Sequence, residues 1–164
     1  MTKTQENLYT AYVGEAKAAI RLLGFAEKAD KEGYPQIAKL FRAISAAERI
    51  HAVKHLRQMK VIKSTEENLE ASFEGETSIS ENIYPEFIRQ AGEDGDKGAE
   101  IGFSYARDAE QVHAGLYKKA MAHMAVDEET TYNVCSVCGY VVDGAAPDEC
   151  PVCSAPKEKF FEVE

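Results

Sequence analysis

Two glutamate–histidine pairs, Glu48-x-x-His51 and Glu110-x-x-His113, constrain this chain more than any other feature. Each follows a lone glutamate, Glu15 or Glu76, by 33 and 34 residues respectively. All six residues interrupt apolar stripes with helical spacing. Residues 1–126 read as helix: Pro35 and Pro85 are the only prolines there, and Ala, Glu, Lys and Leu dominate. The 3–4 spacing of apolar positions predicts four amphipathic helices. The first, about 3–31, aligns Leu8, Tyr12, Glu15, Ala19, Leu22 and Ala26. The second, about 35–60, aligns Ile37, Phe41, Ile44, Glu48, His51 and His55. The third, about 73–92, aligns Phe73, Glu76, Ser80, Ile83 and Phe87, with Pro85 predicted to kink it or cost a hydrogen bond. The fourth, about 97–125, aligns Phe103, Ala106, Glu110, His113, Tyr117 and Met124.

Positions three apart share a helix face, so each Glu-x-x-His pair can grip one ion. Counted from turns near residues 33 and 95, Glu15, His51, Glu76 and His113 all lie 18 or 19 residues away. At about 1.5 Å per residue, the partners in each hairpin fall level. A link over about 61–72, twelve residues reaching roughly 40 Å when extended, predicts a return along the whole bundle. That is the single long crossover of a ferritin-like four-helix bundle. Four carboxylates buried without counter-charge would be prohibitively costly. Two divalent cations balance them, and one Glu from each of two helices plus Glu-x-x-His from the other two is the di-iron or di-manganese arrangement of such bundles. The predicted ligands are Glu15, Glu48, His51, Glu76, Glu110 and His113. His55 and His123 stay outside this set, as a residue of the bundle margin and a surface residue.

All four cysteines, Cys135, Cys138, Cys150 and Cys153, lie in the last 30 residues, as C-x2-C-x11-C-x2-C. Paired CxxC knuckles read as a metal site, and tetrahedral thiolate suits Zn²⁺ or a single iron. Disulfides are the alternative, disfavoured in a reducing compartment. Gly139 follows the first knuckle, where a tight turn aims backbone N–H groups at sulfur. The knuckles resemble rubredoxin with a shortened loop, while a structural zinc ribbon has the same spacing.

Together, Gly14-Glu15, Glu48-x-x-His51, Gly75-Glu76, Tyr84-Pro85, Glu110-x-x-His113 and the short-loop knuckles resemble rubrerythrin over nearly the whole chain. The resemblance implies a mainly α protein: a ferritin-like four-helix bundle (1–127), a hinge (128–133) and a small rubredoxin-like domain with short β-strands (134–164). It implies two non-haem irons in the bundle and one iron on the four cysteines. The implied activity is a peroxidase that reduces hydrogen peroxide to water in oxidative-stress defence, with electrons relayed through the rubredoxin-type centre. Tyr84 matches a tyrosine that the family keeps beside the site, with a hydrogen-bonding role toward bound oxygen. An external donor, such as a reductase or a rubredoxin, is implied as well.

One departure is Ile79. Relatives carry a second Glu three residues after the first on this helix; Ile has no donor atom, and Glu81 sits about 140° round the helix. The remaining set, four Glu and two His, favours as alternative a ferroxidase or iron-handling protein that prefers O₂. Leu22 likewise stands where relatives can have Tyr. The tail emerges after residue 126 at the end of the bundle, some 15–20 Å along the fourth helix from His113 by helix rise, which predicts a homodimer, with exchanged helix hairpins as one form of it, to bring one subunit's tail to the other's bundle.

The charge of -9, from 28 acidic and 19 basic residues, argues against nucleic acid or an anionic membrane as partner. The tail carries two Lys against six acids. No apolar run approaches the roughly 18 residues that span a bilayer, and MTKTQENLYT lacks a signal-peptide core. A cytoplasmic location is expected.

Overall fold

The structure is a computed structural model that describes residues 2–124 and 129–163. The chain forms two compact units, one ending at Lys63 and one starting at Ser64.

The first unit is a helical hairpin. α1 (Lys3–Lys31) opens with a capping box, in which Thr2 Oγ1 accepts from the Gln5 amide and Gln5 Oε1 accepts from the Thr2 amide. Gly33, at φ 81°, reverses the chain, and the Tyr34 amide closes the turn on the Ala29 carbonyl at 2.9 Å. Pro35 then occupies the first position of α2 (Pro35–Gln58), where its missing N–H costs nothing. The buried seam is made of small residues: Ala19, Ala26 and Ala29 from α1, and Ala38, Ser45 and Ala52 from α2. Ala38, Ser45 and Ala52 recur every seven residues, the repeat that keeps one seam facing a partner helix. The buried Ser45 hydroxyl donates to the Ala19 carbonyl at 2.8 Å. The sequence stripe placed Ile37 and Ile44 on the core face; they remain 47% and 39% exposed, because the alanines make the contact within the hairpin.

The second unit begins earlier than the periodicity predicted. α3 (Thr65–Ser78) starts on a capping box between Ser64 and Glu67, eight residues before the expected start. Residues 65–72 are therefore helix, and the twelve-residue link expected over 61–72 is corrected to six residues, 59–64. Pro85 acts through a π-turn, Ile79–Ile83, closed by the Tyr84 amide on the Ile79 carbonyl. The wider turn absorbs the proline's missing donor and the clash of its ring with the preceding turn. The helix resumes as α4 (Tyr84–Asp94) with Pro85 in its first turn, and Gly95 ends it at φ 72°. Asp96 caps α5 (Lys97–His123), accepting from the Ala99 amide at 3.0 Å.

A three-stranded antiparallel sheet follows, in the order β2-β1-β3. Its strands are β1 (Tyr132–Cys135), β2 (Val141–Asp143) and β3 (Phe160–Glu162). Val134 pairs with Val141 on one side and Phe161 on the other. The expected domain boundary at residue 127 and the first hinge residue, 128, lie outside the described residues. Among the described residues, no helix is long and apolar enough to cross a membrane.

Candidate metal centres

In the hairpin, one turn of α2 carries Glu48 and His51 on one face, and α1 brings Glu15 against them. Their ligand atoms lie within 4.8 Å of one another. His51 Nδ1 sits 3.0 Å from Glu48 Oε2. Hydrogen bonds from His51 and, secondarily, with Glu15 hold the Glu48 carboxyl below the usual range. The arrangement offers two carboxylates and one imidazole, with His51 more than half exposed.

The second unit repeats this set. Glu76 of α3 meets Glu110 and His113 of α5, again within 4.8 Å. His113 Nδ1 lies 2.7 Å from Glu110 Oε2. Burial, and then the hydrogen bond and charge of Glu110, push Glu76 up to about 7. Two carboxylates this close share a proton unless a cation replaces it. Tyr84 lines the same place: burial, with the charges of Glu110 and Glu76, raises its phenol above the ordinary value. Its ring packs edge-on to Phe87, with centroids 6.2 Å apart. Ile79 offers no ligand atom, and Glu81 is exposed outside the cluster.

The third site is the tail. Cys135 and Cys150 are buried, and the four sulfurs converge. Cys135 Sγ is 3.8 Å from Cys153 Sγ, and Cys138 Sγ is 3.6 Å from Cys150 Sγ. A disulfide needs about 2.05 Å, so these are free thiols. A tetrahedron of metal–sulfur bonds near 2.3 Å has edges of about 3.8 Å, so the cysteines fit one ion. The knuckles are built alike: the Gly139 amide bonds the Cys135 carbonyl, and the Ser154 amide the Cys150 carbonyl, each at 2.9 Å. Gly139 takes φ 80°, as its turn requires; the second knuckle puts Ser154 at φ 58° instead. Burial pushes the Cys135 thiol up, but the amides of Cys138 and Val137 and the neighbouring sulfurs outweigh it, leaving a net lowering. Burial raises Cys138 and Cys153. Four thiols in one pocket cannot all ionise without a cation.

All ten predicted ligand residues thus fall into three clusters. His55 and His123 join none of them; His55 Nδ1 faces Gln58 Oε1 at 3.3 Å. One functional contact has no local signal in the sequence: His113 Nε2 lies 2.8 Å from the Gly139 carbonyl, across 26 residues. It corrects the expected 15–20 Å gap, because the tail folds back against its own α5. Lys119 of α5 pairs with Asp143 of β2, which also accepts from Thr130. Beside this contact lies a cleft of about 420 Å³ lined by Leu69, His113, Leu116, Tyr117, Tyr132 and Val141.

With this geometry in place, the comparisons with known proteins are decisive. The family model described as Rubrerythrin matches residues 6–121 and 67–140. The chain belongs to the rubrerythrin family. A second model, "Rubrerythrin, rubredoxin-like domain", matches residues 134–161. Nigerythrin of Nitratidesulfovibrio vulgaris is 34% identical over 96% of this chain and 85% of its own length. Rubrerythrin-2 of Clostridium acetobutylicum is 32% identical over 96% and 95%. The solved structure "Fully reduced state of nigerythrin (all ferrous)" matches at TM-score 0.60 and 33% identity, over 99% of this chain and 88% of that one. The cofactor set is that of rubrerythrins: a di-iron site at the Glu/His clusters and one iron on Cys135, Cys138, Cys150 and Cys153. The chain is a member of an oxidoreductase family with a rubredoxin-type centre.

Proposed function

We propose that this rubrerythrin is a non-haem di-iron peroxidase, which reduces hydrogen peroxide to water in oxidative-stress defence with electrons relayed through its thiolate-bound iron. The observation that carries the reading is the pairing of two unlike sites in one compact unit: a carboxylate–imidazole cluster and a four-cysteine cluster, joined at His113 and Gly139. An iron pair supplies two electrons together for O–O cleavage, and a thiolate-bound iron supplies one at a time. Glu15, Glu48 and His51 would hold one iron, and Glu76, Glu110 and His113 the other. Tyr84 keeps its phenolic proton, since burial and the two carboxylates oppose its loss. It can therefore donate a hydrogen bond to an oxidant oxygen in the pocket, which makes it the candidate catalytic residue.

The working location is the cytoplasm, with an external reductase or rubredoxin as donor. Residues 1–127 make the bundle, 128–133 the hinge and 134–164 the rubredoxin-like domain. The net charge of -9 leaves nucleic acid and anionic membranes as poor partners. The assembly is a homodimer with exchanged helix hairpins. Six residues, 59–64, reach about 20–25 Å. α2, with 24 residues, is about 36 Å long. The chain cannot return along α2 before α3 starts, so a ferritin-like bundle takes its α1–α2 hairpin from a second copy.

A second reading, a ferroxidase or iron-handling protein that prefers O₂, is favoured by Ile79. Anaerobically reduced protein mixed with either oxidant in a stopped-flow instrument separates the two. The peroxidase reading expects faster di-iron oxidation by peroxide than by O₂; faster oxidation by O₂ overturns it.

A further inference from the structure

We propose that the cleft between α3, α5 and the sheet seats the apolar tail of an organic hydroperoxide, so that the substrates include compact aryl and branched-alkyl hydroperoxides besides hydrogen peroxide. The proposal deepens the peroxidase reading and rests on it. The cleft lies wholly within the second unit and holds about 420 Å³, the size of a small-molecule site. His113, a member of the carboxylate–imidazole cluster, stands at its head. Leu116, Tyr117 and Ala120 follow His113 by three, four and seven residues, so they descend one face of α5. Leu69 precedes Glu76 by seven residues, on the same face of α3. Glu76 is level with Glu110 and His113, and Leu69 with Leu116 and Ala120. The cleft therefore runs about 10 Å along the helices, starting at the ligand cluster. Tyr132 of β1 and Val141 of β2 form its outer wall.

Leu69, Leu116, Tyr117, Ala120 and Val141 are all only half-buried. The chain leaves this apolar surface wet, and a hydrocarbon tail lying on it gains by removing it from water. Hydrogen peroxide has no apolar part and makes no use of it. Tyr84 lies eight residues after Glu76, and Leu69 seven before it. The phenol and the cleft thus stand on opposite sides of the carboxylates along the helix, the one serving the peroxy group and the other the tail. Beyond Ala120 a further space of about 350 Å³ turns polar, with Thr65, Thr130 and the Lys119–Asp143 ion pair in its lining. A long fatty chain would have to lie on these groups, whereas a compact aryl or branched-alkyl tail ends before them. In the reaction the O–O bond of the hydroperoxide breaks, two electrons and two protons are taken up, and the alcohol and water leave. The electrons are the two that the peroxidase reading draws from iron and the external donor replaces, so no further reactant is needed.

Two measurements on the full chain decide it. In zinc-loaded, diamagnetic protein, 2-phenyl-2-propanol, the alcohol left by cumene hydroperoxide, should shift the methyl NMR signals of Leu69, Leu116 and Val141 saturably, while glycerol at the same concentrations leaves them in place. Absent shifts, or shifts confined to other methyl groups, overturn the proposal and mean that the cleft is closed or filled by a second copy. The second measurement compares kcat/KM for cumene hydroperoxide and hydrogen peroxide in iron-loaded protein. The parent should reduce both. Ala120→Leu, which fills the cleft with an isobutyl side chain, should lower the cumene-to-hydrogen-peroxide ratio about tenfold or more, and a ratio within about twofold of the parent overturns the proposal. Val141→Phe fills the cleft from the opposite wall and decides the matter if Ala120→Leu fails to fold. A parent that reduces hydrogen peroxide but neither binds the alcohol nor reduces cumene hydroperoxide sinks this inference alone. A parent that binds the alcohol but reduces neither peroxide sinks the peroxidase reading, and the substrate role with it.

Discussion

Glu76 and Glu110 face each other at a distance where only a proton or a cation reconciles them, and burial holds Glu76 near 7 against an ordinary 4.5. The sign of the consequence follows by linkage. The folded, metal-free protein binds the proton more tightly than the unfolded chain does. Stability is therefore full below about pH 4.5 for this group, falls between 4.5 and about 7, and carries the whole penalty above that. Metal-free protein should melt at a lower temperature at pH 8 than at pH 5.5, and Glu76→Gln should flatten that difference; an unchanged pH slope in the variant would contradict this. Ile79 is the other informative residue. Restoring a carboxylate with Ile79→Glu should raise the ratio of peroxide to O₂ oxidation rates several-fold by stopped flow. The candidate ligands and their grouping were legible because Glu, His and Cys interrupt strong periodic patterns at fixed spacings. The partner of His113 was not, because a backbone carbonyl 26 residues away leaves no mark on residue type.

Helices α1, α2 and α5 were legible to within a few residues from the 3–4 pattern. Periodicity puts the start of α3 too late, since its first two turns, TEENLEAS, carry few large apolar residues. Its signal is the Ser64-x-x-Glu67 capping box, with Ser64 Oγ 3.2 Å from the Glu67 amide. Ser64→Ala should cost about 1 kcal/mol of stability in urea unfolding; a change below a few tenths would mean that α3 is held by packing alone. Pro85 was predicted to disturb its helix, and the form of the disturbance, a π-turn over Ile79–Ile83, depends on how neighbouring turns can widen. The alanine seam of the hairpin was half legible. Ala19 and Ala26 sat on the predicted stripe, but small residues let the helices approach closely and leave Ile37, Leu40 and Ile44 outward. A helix pattern identifies an apolar face without saying which partner covers it.

At the scale of the whole molecule, the proposed exchange of hairpins rests on the six-residue connector, 59–64. Ten added Gly/Ser residues between Lys60 and Ser64 would bring the reach to about 55 Å, enough to return along α2. Light scattering should then show a monomer retaining both types of iron site, while the parent chain should run as a dimer; a parent monomer would contradict the exchange. The two-site architecture was legible early, since cysteines confined to residues 135–153 mark a separate metal site. Its position against α5 was not, because the return of the tail depends on the contacts of Lys119, Asp143 and Gly139 made only in the fold. The central claim is that one chain type couples a peroxide-reducing iron pair to a thiolate-bound iron. Its most direct measurement is freeze-quench Mössbauer spectroscopy on fully reduced protein, mixed anaerobically with peroxide at slight excess over the iron pair. The expected result is prompt oxidation of the iron pair, followed by conversion of the tetrathiolate ferrous signal to ferric. A tetrathiolate signal that stays ferrous while the pair remains oxidised would contradict the account.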